Sequence, residues 1–243
     1  MKGIIGGQIF NLSEVDSTNN FAAKLISDQL CQNGAVIMAD FQIQGKGQRG
    51  NQWLSNKREN LMMSVVYQPD NMSVEKQVAL TWGTSIALVT MLNKFGIEAK
   101  VKWPNDIFVH DKKIAGILIE NHLAGKQISS SIIGIGLNVN QLDFSLPSAT
   151  SMAIETFKEF HIKEIGEELI KKLNEYLFLD FSSLKASYQS LLYLRNQEKY
   201  FEDSDGLFIG KILGITEEGF LLVSKGNESK EYGMKELTFR IDL

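Results

Sequence analysis

Two long apolar stretches separated by a short turn stand in the middle of the chain. Residues 113–123 and 127–137 are rich in isoleucine and leucine, and the Ala124-Gly125 pair between them predicts a β-hairpin. Apolar residues are nearly continuous from position 114 to position 119 and do not alternate with polar ones. This pattern is typical of a strand that is buried on both faces.

The rest of the first 194 residues mixes strand-like and helix-like segments. Strands are expected at residues 8–14, 35–39, 61–67, 99–102 and 107–110. Helices are expected at residues 18–30 after Ser17, 73–95 after Ser73, 162–176 and 182–192. Strands follow one another along the chain and helices come in pairs, unlike the regular alternation of a doubly wound fold. The sequence therefore predicts an α+β fold, a mixed β-sheet with helices packed on it.

The texture of the sequence changes after Arg195. Short strand-like segments are interrupted there by glycines, which suggests a small β-barrel. We therefore expect two domains, residues 1–194 and residues 195–243.

Composition excludes several classes of protein. With 25 Lys and Arg against 29 Asp and Glu, the formal net charge is −4, which argues against a general nucleic-acid binder. A single cysteine rules out an internal disulfide and a site built on several thiolates. Neither a signal peptide nor an apolar run long enough for a bilayer is evident, so we expect a cytoplasmic protein with no membrane partner.

A glycine-rich, cationic loop carries the first chemical signal. Residues 45–50 read G-K-G-Q-R-G, but residues 51–58 lack the helical pattern that a dinucleotide-binding glycine motif requires, and no P-loop is present. The cations of this segment are Lys46, Arg49, Lys57 and Arg58. Glycines allow backbone N–H groups to close around an anion, so the loop is a candidate phosphate site. A solvated, mobile loop is the alternative.

Three further segments carry polar groups or glycines at strand ends and inside strands. Residues 102–106 read K-W-P-N-D, where Asp106 is a candidate Mg²⁺ ligand beside a phosphate, with an ordinary turn as the alternative. Residues 113–120 read K-I-A-G-I-L-I-E, and residues 134–138 read G-I-G-L-N. Glycines inside a buried strand suggest that a ligand or another chain segment packs against the backbone, or else a bulge.

Together these segments resemble the catalytic core of biotin protein ligases. The resemblance covers roughly residues 10–142 and includes D-S-T-N at 16–19, Gln42 with the glycine loop and Trp53, and the three motifs just described, all in the family's order. It implies the biotin/lipoate ligase fold, which is related to class II aminoacyl-tRNA synthetases, with a small C-terminal SH3-like barrel.

The resemblance also implies a reaction in two steps. Biotin and MgATP form biotinyl-5′-AMP and pyrophosphate, and a lysine of a biotin carboxyl carrier domain then takes the biotinyl group. Lys113 matches the family's catalytic lysine, Arg49 is the second catalytic candidate, and Asp106 is the metal candidate. The residues assigned to biotin are Ser17, Thr18, Gln42, Gly45, Lys46, Gly47, Gln48, Lys113 and Gly116. The residues assigned to the nucleotide are Lys46, Arg49, Trp53, Asn105, Lys113, Asn138 and Arg240.

Two departures from the family pattern lie in the loop, where Lys46 and Gln48 stand in place of arginines. A planar two-pronged donor is thereby replaced by a point charge and by a neutral amide. We therefore expect the loop to hold the adenylate less firmly.

Other functions remain open at this point. A lipoate ligase or octanoyl transferase shares the fold, although Cys31 lies away from every motif and is a poor thioester nucleophile. A non-catalytic nucleotide- or nucleic-acid-binding module would explain the basic loop. Because D-S-T-N begins at residue 16, we expect no helix-turn-helix, no binding of nucleic acid and no repressor function. Monomer and homodimer are both compatible with the sequence.

Overall fold

The computed structural model describes residues 5–240 except for the side chain of Arg49. Its larger sheet has seven strands in the spatial order β1-β2-β3-β7-β6-β5-β4. The strands are β1 Ile9–Leu12, β2 Val36–Ala39, β3 Asn60–Tyr67, β4 Ala99–Lys102, β5 Asp106–Val109, β6 Lys112–Ala124 and β7 Gln127–Asn138. β1 and β2 run parallel and the other neighbours antiparallel. The predicted mixed sheet and its central hairpin are confirmed.

Helices cover both faces of this sheet. The helices are α1 Thr18–Ser27, α2 Val78–Lys94, α3 Met152–Thr156, α4 Ile162–Tyr176 and α5 Phe181–Ser190. On one face, Ala22 and Leu25 of α1 pack with Ile37 and Val66. On the other face, α2 and α4 pack against the sheet, and α5 packs against α2. Burial on two sides explains why apolar residues run almost continuously through the central strands.

Helix boundaries differ from the expected ones where local chemistry decides them. α1 ends at Ser27, three residues earlier than predicted. Ser73 precedes a short 3₁₀ turn, makes no side-chain capping hydrogen bond, and α2 starts only at Val78. α4 spans the predicted residues, whereas the five-residue α3 is too short to produce a readable periodic pattern.

A second sheet follows the helices. Its strands are β8 Glu198–Asp203, β9 Gly206–Ile215, β10 Leu221–Lys225, β11 Glu228–Tyr232 and β12 Thr238–Phe239, in the order β11-β10-β9-β8-β12. All neighbours are antiparallel. Within residues 5–240 the sheet is not a closed barrel, since β11 and β12 do not pair and β12 contributes only two residues. The predicted barrel is thus an open antiparallel sheet.

The K-W-P-N-D segment contacts both the turn before β10 and helix α5. Trp103 donates a hydrogen bond from Nε1 to the Gly219 carbonyl at 2.9 Å, and the Tyr188 hydroxyl donates to the Pro104 carbonyl at 2.7 Å. The Trp103–Pro104 peptide is cis. No helix in the described part of the chain is both long and apolar enough to cross a bilayer.

Candidate active site

A cleft of about 190 Å³ opens on the α1 face of the large sheet. There Gly116 of β6 pairs with Gly136 of β7, and Gly134 pairs with both Ser64 of β3 and Leu118. Side chains alternate between the faces of a strand, so the neighbouring Ile135 and Leu137 point into the core instead. The glycines leave this part of the face without side chains, and the resulting gap is the cleft.

The surface formed by Gly116, Gly134 and Gly136 is called the glycine floor, and Trp53 lies directly on it. A Cβ atom at position 136 would collide with the indole ring, so only glycine permits this close approach. Nε1 of Trp53 is buried and has no hydrogen-bond partner among the described residues. The indole therefore packs against Gly136 and forms part of the lining of the cleft.

A bulge in β6 aims Lys113 into the same cleft. Ile107 pairs with Ala115 but Phe108 pairs with Lys113, so Ile114 is the extra residue and both Ile114 and Ala115 face the core. Lys113 thereby shares a face with Gly116, three positions away. Its Nζ atom lies 2.6 Å from Asp106 Oδ1 and 5.6 Å from the centre of the Trp53 ring.

A chain of polar side chains forms the opposite end of the cleft. The Gln42 Oε1 atom accepts from the Thr18 backbone N–H at 2.8 Å and lies 3.0 Å from the Thr18 hydroxyl. Ser64 Oγ lies 2.7 Å from Thr18 Oγ1 and 2.6 Å from Asn19 Oδ1. Asn19 Nδ2 donates to Glu120 Oε2 at 2.7 Å. The side chains of this chain that line the cleft are therefore the neutral ones, with the Glu120 carboxylate behind them.

The glycine loop folds into a small turn over the cleft. The Gly47 N–H donates to the Asn51 carbonyl at 2.7 Å and the Trp53 N–H donates to the Gly45 carbonyl at 2.9 Å, around a 3₁₀ turn at Gln48–Gly50. Lys46 Nζ lies 3.5 Å from Glu120 Oε1. The loop is thus partly ordered by its own backbone.

Two loop cations are engaged outside the cleft. Arg58 pairs with Asp40 at 2.9 Å, and Lys57 lies 3.7 Å from Glu14. In the sequence, Glu59 is the only acidic residue close to these two cations. The fold brings two more carboxylates to them, Glu14 from the loop between β1 and α1 and Asp40 from the end of β2. Lys57 and Arg58 therefore do not line the cleft. The side chain of Arg49 lies outside the described part of the structure.

Comparisons with known proteins agree with this geometry. The sequence model of the Biotin/lipoate A/B protein ligase family matches residues 12–138. The chain belongs to this family. The Bifunctional ligase/repressor BirA of Bacillus subtilis is 28% identical over 95% of this chain and 74% of its own length. A Paracoccus denitrificans protein named Biotin--[acetyl-CoA-carboxylase] ligase is 31% identical over 53% of each chain.

A solved structure extends the likeness to the whole fold. The biotin protein ligase from Aquifex aeolicus in complex with biotin and ATP superposes with a TM-score of 0.79 and 28% identity, covering 96% of this chain and 99% of that one. Both sheets are therefore part of an arrangement found in a biotin protein ligase.

Most of the residues that the biotin ligase resemblance assigns to ligands lie together. Those lining the cleft are Ser17, Thr18, Gln42, Lys46, Gly47, Gln48, Trp53, Asn105, Asp106, Lys113 and Gly116. Ser17 sits at the N-cap position of α1, but its side chain makes no capping hydrogen bond. Gly45 is buried behind the wall of the cleft, where a Cβ would collide with the Trp53 carbonyl oxygen.

Two assigned residues lie elsewhere. Asn138 is buried and donates to the Thr150 carbonyl at 2.9 Å. Arg240 pairs with Glu202 at 2.9 Å and lines a separate cleft with Tyr193 and Asp111. Conversely, Asn19 and Glu120 belong to the hydrogen-bonded chain that includes Thr18 and Ser64. Both lie in the sequence motifs, but the resemblance gave neither of them a role. Ser64 was missed too, and its one signal is a hydroxyl inside an otherwise apolar strand.

Two ionisable groups near residues of the cleft have shifted pKa values. Burial lowers the pKa of Lys102, while Asp106 acts to raise it and Lys113 to lower it. Burial acts to raise the pKa of Asp16, but hydrogen bonds from Asn20 and the backbone, with the charge of Lys46, lower it overall. The described residues contain no cluster of three or more metal-ligating side chains. A single carboxylate suits Mg²⁺ that also binds phosphates, so Asp106 fits that role.

Proposed function

We propose that this protein is an ATP-dependent biotin protein ligase. The observation that carries the proposal is a single cleft that has the Lys113–Asp106 pair at one end and the neutral Thr18–Gln42 end at the other. Biotin has the same polarity, a carboxylate joined by an apolar chain to an uncharged urea ring. The Aquifex aeolicus relative is described with biotin and ATP bound.

The first step joins the biotin carboxylate to the α-phosphate of ATP. A carboxylate oxygen attacks phosphorus, the bond to the β-phosphate oxygen breaks, and pyrophosphate leaves with the electron pair. Two anions repel each other on approach, and the Lys113 amine, which lines the cleft, is proposed to contact an oxygen of each. Asp106 would help to hold Mg²⁺, and the bound ion would supply further positive charge.

The second step transfers the biotinyl group to a protein. The amine of a carrier lysine attacks the acyl carbon, an amide bond forms, and AMP leaves with the electron pair of the broken C–O bond. The mixed anhydride is sensitive to water, so its cover matters. Trp53 and the glycine loop lie over the glycine floor and form that cover. Arg49 belongs to the same loop, and we propose that it contacts the adenylate phosphate.

Several finer assignments are part of the same proposal. Residues 1–194 and 195–243 are proposed as the catalytic and SH3-like domains. Asn138 is proposed to support the nucleotide site indirectly through Thr150. Arg240 would have to leave Glu202 to reach a nucleotide. The KM for ATP of the Asn138→Ala and Arg240→Ala variants tests both roles.

The neutral end of the cleft favours biotin over lipoate. Thr18 and Gln42 form hydrogen bonds that suit a urea, whereas the dithiolane ring of lipoate has no N–H or carbonyl group to match them. A module that only binds a ligand would not need the β6 bulge that places Lys113 in the cleft. We therefore retain lipoate ligation only as an alternative to be tested.

The partner proposed is the biotin carboxyl carrier domain of a carboxylase, in the cytoplasm. Incubating a purified carrier domain with the protein, biotin and MgATP is expected to give a biotinylated product by mass spectrometry. A carrier whose acceptor lysine is replaced by arginine is the control and should stay unmodified. Lack of modification of the intact carrier would refute the proposal. Absence of DNA binding stays a prediction, tested by titration with an operator duplex.

A further inference from the structure

The orientation of the Asn19 amide is fixed by its neighbours. Its nitrogen lies 2.7 Å from Glu120 Oε2, and an ionised carboxylate only accepts hydrogen bonds. The NH₂ group therefore faces Glu120, and Oδ1 faces Ser64. Position 134 must be glycine for this arrangement, because a Cβ there would collide with the Asn19 amide.

The amide orientation determines where the Ser64 proton goes. Ser64 is fully buried, and its oxygen lies 2.6 Å from Asn19 Oδ1 and 2.7 Å from Thr18 Oγ1. A hydroxyl has one proton, and a carbonyl-type oxygen such as Asn19 Oδ1 has none to give. Ser64 must therefore donate to Asn19, and its lone pairs face Thr18.

The Thr18 hydroxyl is then left with acceptors inside the protein. Its proton is drawn to Ser64 Oγ or to Gln42 Oε1, at 2.7 and 3.0 Å. Either choice leaves lone pairs of Thr18 Oγ1 facing the cleft. Gln42 is oriented in the same way, because its Oε1 accepts from the Thr18 backbone N–H and its Nε2 remains a donor.

We infer that Glu120 is a positioning residue that, through Asn19 and Ser64, holds Thr18 as a hydrogen-bond acceptor and so selects a ring with an N–H group. The inference rests on the proposed function, since the ligand is the urea ring of biotin. A ring N–H donates to Thr18, and the adjacent carbonyl accepts from Gln42. Side chains that the ligand never touches thus determine the polarity of the groups that it does touch.

Binding of biotin and of its two ring N-methylated derivatives, measured by titration calorimetry, tests the inference. One derivative lacks the N–H that faces Thr18, so the wild type should bind it at least about tenfold more weakly than biotin. Glu120→Met removes the nearer acceptor of the Asn19 amide, at 2.7 Å, and leaves only the Leu118 carbonyl at 3.5 Å, so the amide can turn more freely. The ratio to follow is the dissociation constant of that derivative divided by the dissociation constant of biotin. Glu120→Met should reduce this ratio by about tenfold, mainly because biotin binds more weakly.

Glu120→Gln separates hydrogen bonding from charge. Glutamine keeps a carbonyl acceptor for Asn19 but loses the ion pair with Lys46, which is exposed and contributes little. This variant should stay within about threefold of the wild-type ratio. Equal loss in Glu120→Gln and Glu120→Met would overturn the inference, because the charge alone would then matter.

Two serine variants give a second, matched test. Ser64→Ala removes the 2.7 Å acceptor for Thr18, and we expect a ratio about threefold lower. Ser131→Ala removes a fully buried hydroxyl of the same sheet, bonded to Asn121 at 2.7 Å, and should keep the wild-type ratio. Unchanged ratios in Ser64→Ala and Glu120→Met, with biotin still bound, would overturn the inference alone. A wild type that binds no biotin would overturn the proposed function as well.

Discussion

We propose that the single amine of Lys113 contacts both anions of the first step. Its ion pair with Asp106 at 2.6 Å holds the side chain over Gly116, and about a third of that side chain is exposed to the cleft. Lys46 is different, because it reaches only Glu120 at 3.5 Å from a loop at the rim. The two cations should therefore affect different steps.

Replacing each lysine by alanine tests this division. Lys113→Ala should lower the rate of biotinyl-AMP formation by about 1,000-fold, since preorganised charge at the reacting oxygens is lost. Lys46→Ala should form the adenylate at a near-normal rate and release it faster. Single-turnover formation and dissociation of biotinyl-AMP measure both effects. Adenylate formation by Lys113→Ala at the wild-type rate would disprove the role given to Lys113.

Residue types in the sequence indicated the chemistry but not the connections between them. Thr18, Gln42 and Lys113 belong to recognisable motifs, and the structure brings them to one cleft. The partners of Lys57 and Arg58 come from residues far along the chain, so no local pattern revealed them. Ser64 became visible only once β3 was placed opposite Gly134.

At the scale of elements, the site depends on the hairpin of β6 and β7. The length and burial of the hairpin could be predicted from the sequence, because both strands are long apolar stretches that have to be covered by other elements. The bulge at Ile114 could not be predicted from the sequence, since it depends on how β6 pairs with Ile107 and Phe108 of β5. This one-residue irregularity turns Lys113 toward the cleft, so the element determines the function of the residue.

Adding a methyl group to the glycine floor should impair the reaction. Gly136→Ala should lower kcat/KM for adenylation by about 100-fold, because the new methyl group displaces the Trp53 ring from the floor. Gly116→Ala is the matched control. Its methyl group would lie 3.1 Å from the end of Lys113 and 3.2 Å from the Trp53 ring, contacts that small shifts relieve, so the loss should be smaller. Steady-state pyrophosphate release measures both, and equal effects would contradict the account.

The second sheet contains a charge cluster that should make stability depend on pH. The hydrogen bond from Lys225, at 2.8 Å, lowers the pKa of Asp203 well below its usual range; burial opposes this, and Tyr232 and Lys230 assist it. Burial and the bond to Asp203 raise the pKa of Tyr232 to about 12. A depressed carboxyl pKa stabilises the fold above about pH 4 and loses that effect as the pH falls through the folded-state pKa.

Asp203→Asn should therefore lower the denaturation midpoint at neutral pH. The difference from the wild type should shrink as the pH falls below about 4, where the carboxyl becomes protonated in the unfolded chain and then in the folded one. Urea titrations at several pH values provide the measurement. Glu231→Gln, which replaces an exposed carboxylate on β11, is the control. A difference that stays constant down to acid pH would argue against the cluster.

At the scale of the whole molecule, the two sheets share one apolar core. Phe201, Ile212 and Leu221 of the second sheet belong to the same cluster as the buried residues of α2 and the large sheet. The change in sequence texture near residue 195 predicted where the second sheet would begin, but not this continuity. Packing between distant segments leaves no local pattern in the sequence.

A continuous core predicts cooperative unfolding. The whole chain should unfold in one transition, and Trp103→Phe should lower its free energy of unfolding by about 1 kcal/mol through loss of the bond to Gly219. Calorimetry with fluorescence provides the check. Two separate transitions, or a stable proteolytic fragment ending near residue 194, would instead show that the proposed domains fold independently.

The cleft is proposed to activate biotin with ATP. Exchange of isotopically labelled pyrophosphate into ATP reports reversible adenylate formation and needs no carrier protein. We predict rapid exchange with biotin and none above background with lipoate, and exchange with biotin that is about 1,000-fold slower in the Lys113→Ala variant. Exchange with lipoate alone would show a lipoate ligase, and exchange with neither acid would show that the cleft only binds. Either result would contradict the account.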